Sequence, residues 1–169
     1  RQMCIRDKYR TELDENKKTK LVEEKNGIVS EDNILDDPEK VQTLINGVFN
    51  AVNLAEEYVW LIALDTKFHP IGLFEISHGP VNMSVVTPRE IFIRLCLCGA
   101  SMFIIVHNHP SGLPQPSMED ENMTTRIAMC AELMSIKFVD HVIIGREYFS
   151  MKQTLPELFN IDKAKIVFT

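Results

Sequence analysis

Apolar positions along this chain recur in two different periods, and the changes of period mark its elements. Asp37-Pro38 opens the first clear one. Asp accepts hydrogen bonds from the free N–H groups of a first helical turn, and Pro suits the first helical position. Val41, Leu44, Ile45, Val48, Phe49 and Val52 then recur at spacings of three and four. This predicts a helix with one apolar face, ending near Asn53 to Glu57. Tyr58 to Leu64 is short, apolar and rich in β-formers, which predicts a buried strand. Asp65 to Pro70 reads as a turn. Ile71 to Ser77 reads as a second strand, broken by His78-Gly79-Pro80.

Thr87-Pro88-Arg89-Glu90 starts another helix, with Thr as cap and Glu three residues later. Its apolar run continues to Leu97 and stops at Gly99. Met102 to Val106 is continuously apolar, as a central strand is. Ser117 to about Met134 predicts a helix and Phe138 to Ile144 a strand. Gly145 to Glu147 is a turn, Tyr148 to Met151 a short returning strand, and Leu155 to Asn160 a helical turn. Ile166 to Phe168 is a last short strand that would suit pairing with a second copy of the chain. Helices and strands interleave, so the class is α/β or α+β with one sheet flanked by helices. Before all this, residues 1–36 carry charges of both signs and few large apolar side chains. The run Thr11 to Lys20 is almost wholly polar and reads as a solvated helix or a disordered extension, with disorder or a loosely docked arm expected ahead of the helix.

Composition narrows the class without naming a chemistry. A chain of 169 residues with 45% hydrophobic and 25% charged residues fits one soluble domain. Eighteen basic residues against 24 acidic ones give a formal charge of −6, which argues against a nucleic-acid surface. No apolar run approaches the roughly 20 residues of a membrane helix. The charged start, Arg1 to Arg10, has no apolar core of a secretory signal, so a cytoplasmic setting is expected. Cys4, Cys96, Cys98 and Cys130 form no CxxC pair.

The stretch Val106 to Arg126, VHNHPSGLPQPSMEDENMTTR, carries the candidate chemistry. His107 and His109 leave the buried strand with one residue between them, so their side chains project to one side. After a loop holding Pro110, Gly112, Pro114 and Pro116, Ser117 and Asp120 stand three apart at a helix start. A loop of this length can fold that helix start over the histidines. Two nitrogens and one carboxylate oxygen with a fourth position open make the donor set of a catalytic zinc site. Each piece also has an ordinary reading. His-x-His at a strand end occurs as a hydrogen-bonded pair, and Ser-x-x-Asp matches a helix cap. His78 and His141 are candidates for orienting a ligand, although a strand-end polar residue or a satisfied core histidine is the commoner case. His69 sits in a turn, and Cys96 and Cys98 read as helix packing.

Together, His107-x-His109-Pro110, seven residues between His109 and Ser117, and Ser117-x-x-Asp120 resemble the signature of the JAMM (MPN/JAB) metalloproteases. The bacterial RadC-like branch is closer. Its HNHPSG, PS-x-x-D, PRE and DH-x-I-x-G segments stand here as His107 to Gly112, Pro116 to Asp120, Pro88 to Glu90, and Asp140 to Gly145. The resemblance implies an α/β fold with a single mixed, strongly curved sheet flanked by helices, of cytidine-deaminase-like architecture. It divides the chain into a polar extension (1–36), a RadC-like domain (37–152) and a tail (153–169).

The resemblance further implies that His107, His109 and Asp120 bind Zn²⁺ and that Ser117 orients the water or stabilises the oxyanion. The implied reaction is hydrolysis of a peptide or isopeptide bond in an unidentified peptide or protein, with a glutamate as general base. Two glutamates compete for that role. Glu75 lies in a strand segment resembling E-x-S-x-G, and Glu90 lies in PRE, where a capping role already accounts for it. Glu75 is therefore the expected base. The alternative is a catalytically idle module acting in DNA repair or recombination. Full-length RadC-like proteins usually carry a helix-hairpin-helix region, and residues 1–36, with Gly27 as their one glycine, show no such hairpins.

Overall fold

A computed structural model describes residues 8–24, 34–79 and 86–161. Among these residues, seven strands form one mixed sheet in the order β2-β1-β4-β3-β5-β6-β7. They are β1 (Lys8–Leu13), β2 (Thr19–Glu24), β3 (Glu57–Leu64), β4 (Pro70–Gly79), β5 (Met102–Asn108), β6 (Lys137–Ile144) and β7 (Tyr148–Ser150). The helices are α1 (Pro38–Phe49), α2 (Pro88–Cys98), α3 (Met118–Met134) and the short α4 (Met151–Thr154). Pairings β1–β4 and β5–β6 are parallel, and the others are antiparallel.

Strand alternation sorts the core into two layers. Trp60, Ile62 and Leu64 of β3, with Ile104 and Val106 of β5, pack with Val41, Leu44 and Ile45 of α1. Their neighbours Val59, Leu61, Ala63, Phe103 and Ile105 pack on the other face with Ile91, Phe92 and Leu95 of α2 and Met123 and Ile127 of α3. Interior β5 is buried along its whole length, so both of its faces are apolar until the last residues.

The helix starts form as their sequences predict. Asp37 accepts from Glu39 N–H at 2.8 Å, and Thr87 caps α2. Helix α1 is shorter than expected: it ends at Phe49 because Asn50 takes the left-handed conformation, and Ala51–Asn53 form a single 3-10 turn. The segment Tyr148 to Met151 divides, with Met151 opening α4 rather than closing β7.

The polar N-terminal segment is not a loose arm. Residues 8–24 form a hairpin, and β1 continues the sheet beside β4. Two features hold it. Tyr9 and Leu21 pack on the α2–α3 face, with the Tyr9 ring 5.8 Å from that of Phe74. On the exposed side, Arg10 pairs with Glu12 at 2.6 Å and Glu24 at 3.1 Å. A hairpin with one wet face needs few apolar residues, which is why its composition read as disorder. The expected strand Ile166 to Phe168 lies outside the described residues, as do residues 1–7. Among the described residues no helix is long and apolar enough to cross a membrane.

Candidate metal centre

Strand β5 delivers the two histidines. His107 is its last residue on the α2–α3 face and is fully buried. His109 lies just beyond, and its N–H donates to Ile144 O at 2.7 Å. Their Nε2 atoms stand 2.9 Å apart. His109 Nδ1 lies 2.8 Å from Leu113 O. A carbonyl only accepts, so Nδ1 carries a proton, and in the neutral ring Nε2 presents a lone pair.

Helix α3 delivers the carboxylate. Ser117 is its N-cap, and Asp120 reciprocates in a capping box. Asp120 Oδ2 accepts from the Ser117 N–H and from the Ser117 hydroxyl, both at 2.7 Å. Asp120 Oδ1 is buried and has no hydrogen-bond partner. It faces His107 Nε2 at 3.3 Å, while Oδ2 lies 3.7 Å from His109 Nε2. One donor atom from each of the three residues falls within 4.8 Å of the other two.

The loop between the histidines and α3 is braced from β6. Arg146 N–H donates to Gly112 O at 2.9 Å, and Gly112 has φ +78°. A Cβ at Gly145 would stand 2.6 Å from that same carbonyl oxygen, so only glycine fits there.

The electrostatics match a cation-binding centre. Burial opposes ionisation of Asp120, yet His109, His107 and the bonds from Ser117 hold its carboxyl well below the usual carboxylate range. Burial, reinforced by His141, pushes His107 well down and keeps its ring neutral. Burial opposes protonation of His109, and Asp120 with the Leu113 carbonyl raises it nonetheless. An orphaned buried carboxylate oxygen costs stability unless a positive group meets it. Two imidazole nitrogens and that oxygen fit a divalent metal ion with room for a further ligand.

The remaining expected residues divide. Glu75 is not brought to the centre. It pairs with Trp60, on the α1 face, and a bulge at Ile76 lies between it and Ser77, the partner of Val59. Its carboxylate accepts from His78 Nδ1 at 3.0 Å, and His78 stacks on Tyr58 at 5.2 Å. Glu90 is on α2, held by Arg94 at 3.1 Å and Arg89 at 3.2 Å. Ser117 is at the centre, but its hydroxyl proton is directed to Asp120.

Sequence reasoning missed Glu57. It begins β3 two residues before Val59, which pairs with His107, so it shares the face of the two histidines. Burial, with the charge of Asp120, raises its carboxyl above the ordinary value, and His109 opposes that rise. Asn108 was missed too. Its amide oxygen accepts from Tyr58 N–H at 2.8 Å, and its amide N–H donates to Glu56 O at 3.0 Å. It thus clamps the backbone on both sides of Glu57. The available signal was an acidic pair, Glu56-Glu57, at the mouth of the strand that neighbours the histidine strand.

A mixed sheet between helical layers, with His-x-His at an interior strand end and Ser-x-x-Asp at a facing helix start, defines a JAB/MPN-type domain. Residues 35–156 match the family described as the RadC-like JAB domain. The chain belongs to that family. It is 44% identical over 117 residues to a UPF0758 protein of Clostridium botulinum, covering 69% of this chain and 50% of that protein. It is 46% identical over 101 residues to a UPF0758 protein of Clostridium perfringens, covering 59% of this chain and 44% of that one. A relative from Clostridium acetobutylicum is 38% identical over 117 residues, with the same shares of 69% and 50%. The chain thus spans about half the length of the curated relatives it matches.

Proposed function

We propose that this domain is a zinc-dependent hydrolase of peptide or isopeptide bonds, with His107, His109 and Asp120 holding the ion and Glu57 as general base. The observation that carries this reading is the buried, unpartnered Asp120 Oδ1 facing two imidazole nitrogens. Zinc bound there would supply a Lewis acid for the substrate carbonyl and would acidify water. The protein's own groups do the rest. Ser117 fixes the carboxylate rotamer of Asp120. Glu57, on the same face of the sheet, takes a proton from the attacking water and returns it to the departing nitrogen. Its raised pKa suits both transfers, since a base nearer neutrality is also a competent acid.

The test is zinc content by elemental analysis together with cleavage of peptide and isopeptide libraries. Wild-type protein is expected to hold one zinc per chain. Glu57→Gln should keep that zinc and lose activity by about 10²–10⁴-fold, the usual worth of a general base. Glu75→Gln should leave the rate near wild type. Absence of stoichiometric metal, or a Glu57→Gln protein as active as wild type, overturns the assignment. A zinc-loaded protein that cleaves nothing would instead be a non-catalytic module.

A further inference from the structure

Behind the three metal-facing groups lies a buried chain of hydrogen bonds that the proposed reaction does not use. His107 Nδ1 is 2.7 Å from His141 Nε2. His141 Nδ1 is 2.6 Å from Thr124 Oγ1. Thr124 Oγ1 is 2.7 Å from the backbone oxygen of Asp120. His107, His141, Thr124 and Asp120 are all fully buried, so no water competes for these bonds.

The geometry points to Thr124 and His141 as positioning residues that set the tautomer and ring angle of His107, and so aim its Nε2 lone pair at the metal. This rests on the metal reading above.

The direction of the chain follows from its last member. The Asp120 carbonyl can only accept, so the Thr124 hydroxyl spends its one proton there. The competing acceptor, Met151 Sδ at 3.3 Å, is a weaker one. Thr124 Oγ1 must then accept from His141 Nδ1–H. A neutral His141 protonated at Nδ1 has a bare Nε2, which accepts from His107 Nδ1–H. His107 is left with its lone pair on Nε2, the atom that faces His109 Nε2 and Asp120 Oδ1. One backbone carbonyl therefore determines which nitrogen of a metal-facing histidine is free. The carbonyl belongs to Asp120, whose side chain is itself one of the three donors. The chain joins β5, β6 and α3 in a closed circuit, so the first and third donors are aligned by one set of bonds. A second imidazole is an unusual choice of partner for the first, because it can accept only when its own other nitrogen has a partner to donate to. Thr124 is that partner.

The test compares Thr124→Val, Thr124→Ser and His141→Phe with wild type. Zinc affinity is read by competition with a chromophoric chelator. The His107 ring tautomer is read by long-range ¹H–¹⁵N correlation spectra, and folding by circular dichroism. Thr124→Val keeps the volume and loses the hydroxyl, and should weaken zinc binding about 10–100-fold, the usual effect of removing an outer partner of a ligand. His141→Phe should do the same, and in both variants the ring spectrum should lose its single Nδ1–H pattern. Thr124→Ser should restore wild-type affinity and pattern. A packing role alone would lower the melting temperature of Thr124→Val without moving the ring spectrum. Zinc binding that is present and unchanged in Thr124→Val and His141→Phe overturns the relay alone. Zinc binding that is absent from wild-type protein overturns the metal reading itself.

Discussion

Ser117 shows how one residue serves the fold and the candidate site at once. Its oxygen caps α3 by accepting from Asp120 N–H at 3.2 Å, and its proton pins Asp120 Oδ2. The same bonds that begin the helix therefore decide where the unpartnered Oδ1 points. Ser117→Ala should cost about 0.5–2 kcal/mol in unfolding free energy, the usual worth of an N-cap. It should also weaken zinc binding, because the Asp120 carboxylate keeps only the main-chain bond. Ser117→Thr, which caps as well, should retain most of both, as thermal unfolding and a zinc titration would show. His107, His109 and Asp120 were legible as a candidate donor set because each lies on a short segment whose local geometry the sequence dictates, and the family resemblance singled them out from the ordinary reading of each piece. Glu57 was not. Its place beside His109 depends on the register between β3 and β5, a long-range property that no local pattern encodes. Glu75 looked suitable for the complementary reason: the sequence shows a strand but not which face a bulge leaves each residue on.

Among the elements, the turn between β6 and β7 does more than reverse the chain. Gly145 lies under the Gly112 carbonyl, and Arg146 N–H holds the same oxygen. The loop from His109 to Ser117 is thereby tied to β6, the strand that carries His141. Gly145→Ala should push this loop away while leaving the sheet paired, because the added methyl meets backbone rather than a flexible side chain. The expected result is weaker zinc binding with nearly unchanged far-ultraviolet circular dichroism. Unchanged affinity would show that the loop accommodates the methyl. Helices α1, α2 and α3 and strands β3 to β6 were legible because each has an apolar period or a cap. The β1–β2 hairpin was illegible because its stability comes from Tyr9, Leu21 and cross-strand charges at a sheet edge. None of these makes an apolar period along strands of six residues.

For the molecule as a whole, the family match and the seven-stranded sheet agree on one JAB domain, while the stretch matched in the relatives is about half of their length. Class and layer order were legible in the interleaving of helices and strands. The order of the strands was not, because the same elements thread into several sheets. Strand β5 is the axis of the arrangement. Its odd-numbered residues run Phe103, Ile105 and His107 on one face, and its even-numbered ones run Ile104, Val106 and Asn108 on the other. The odd set ends in an imidazole of the candidate metal centre and the even set in the amide that clamps the Glu57 segment. Parity is thus an inherited address. Replacing Ile105 by Val leaves that address intact, and a modest loss of stability, about 0.5–1.5 kcal/mol, is expected. Deleting any one residue between Met102 and Val106 transposes the two lists, sending imidazole to the α1 side and amide to the α3 side. In a library scored for zinc retention, single-codon deletions across 102–106 should therefore be as damaging as loss of His107. This is a constraint on the kind of mutation tolerated, written in the length of a strand rather than in the identity of its residues.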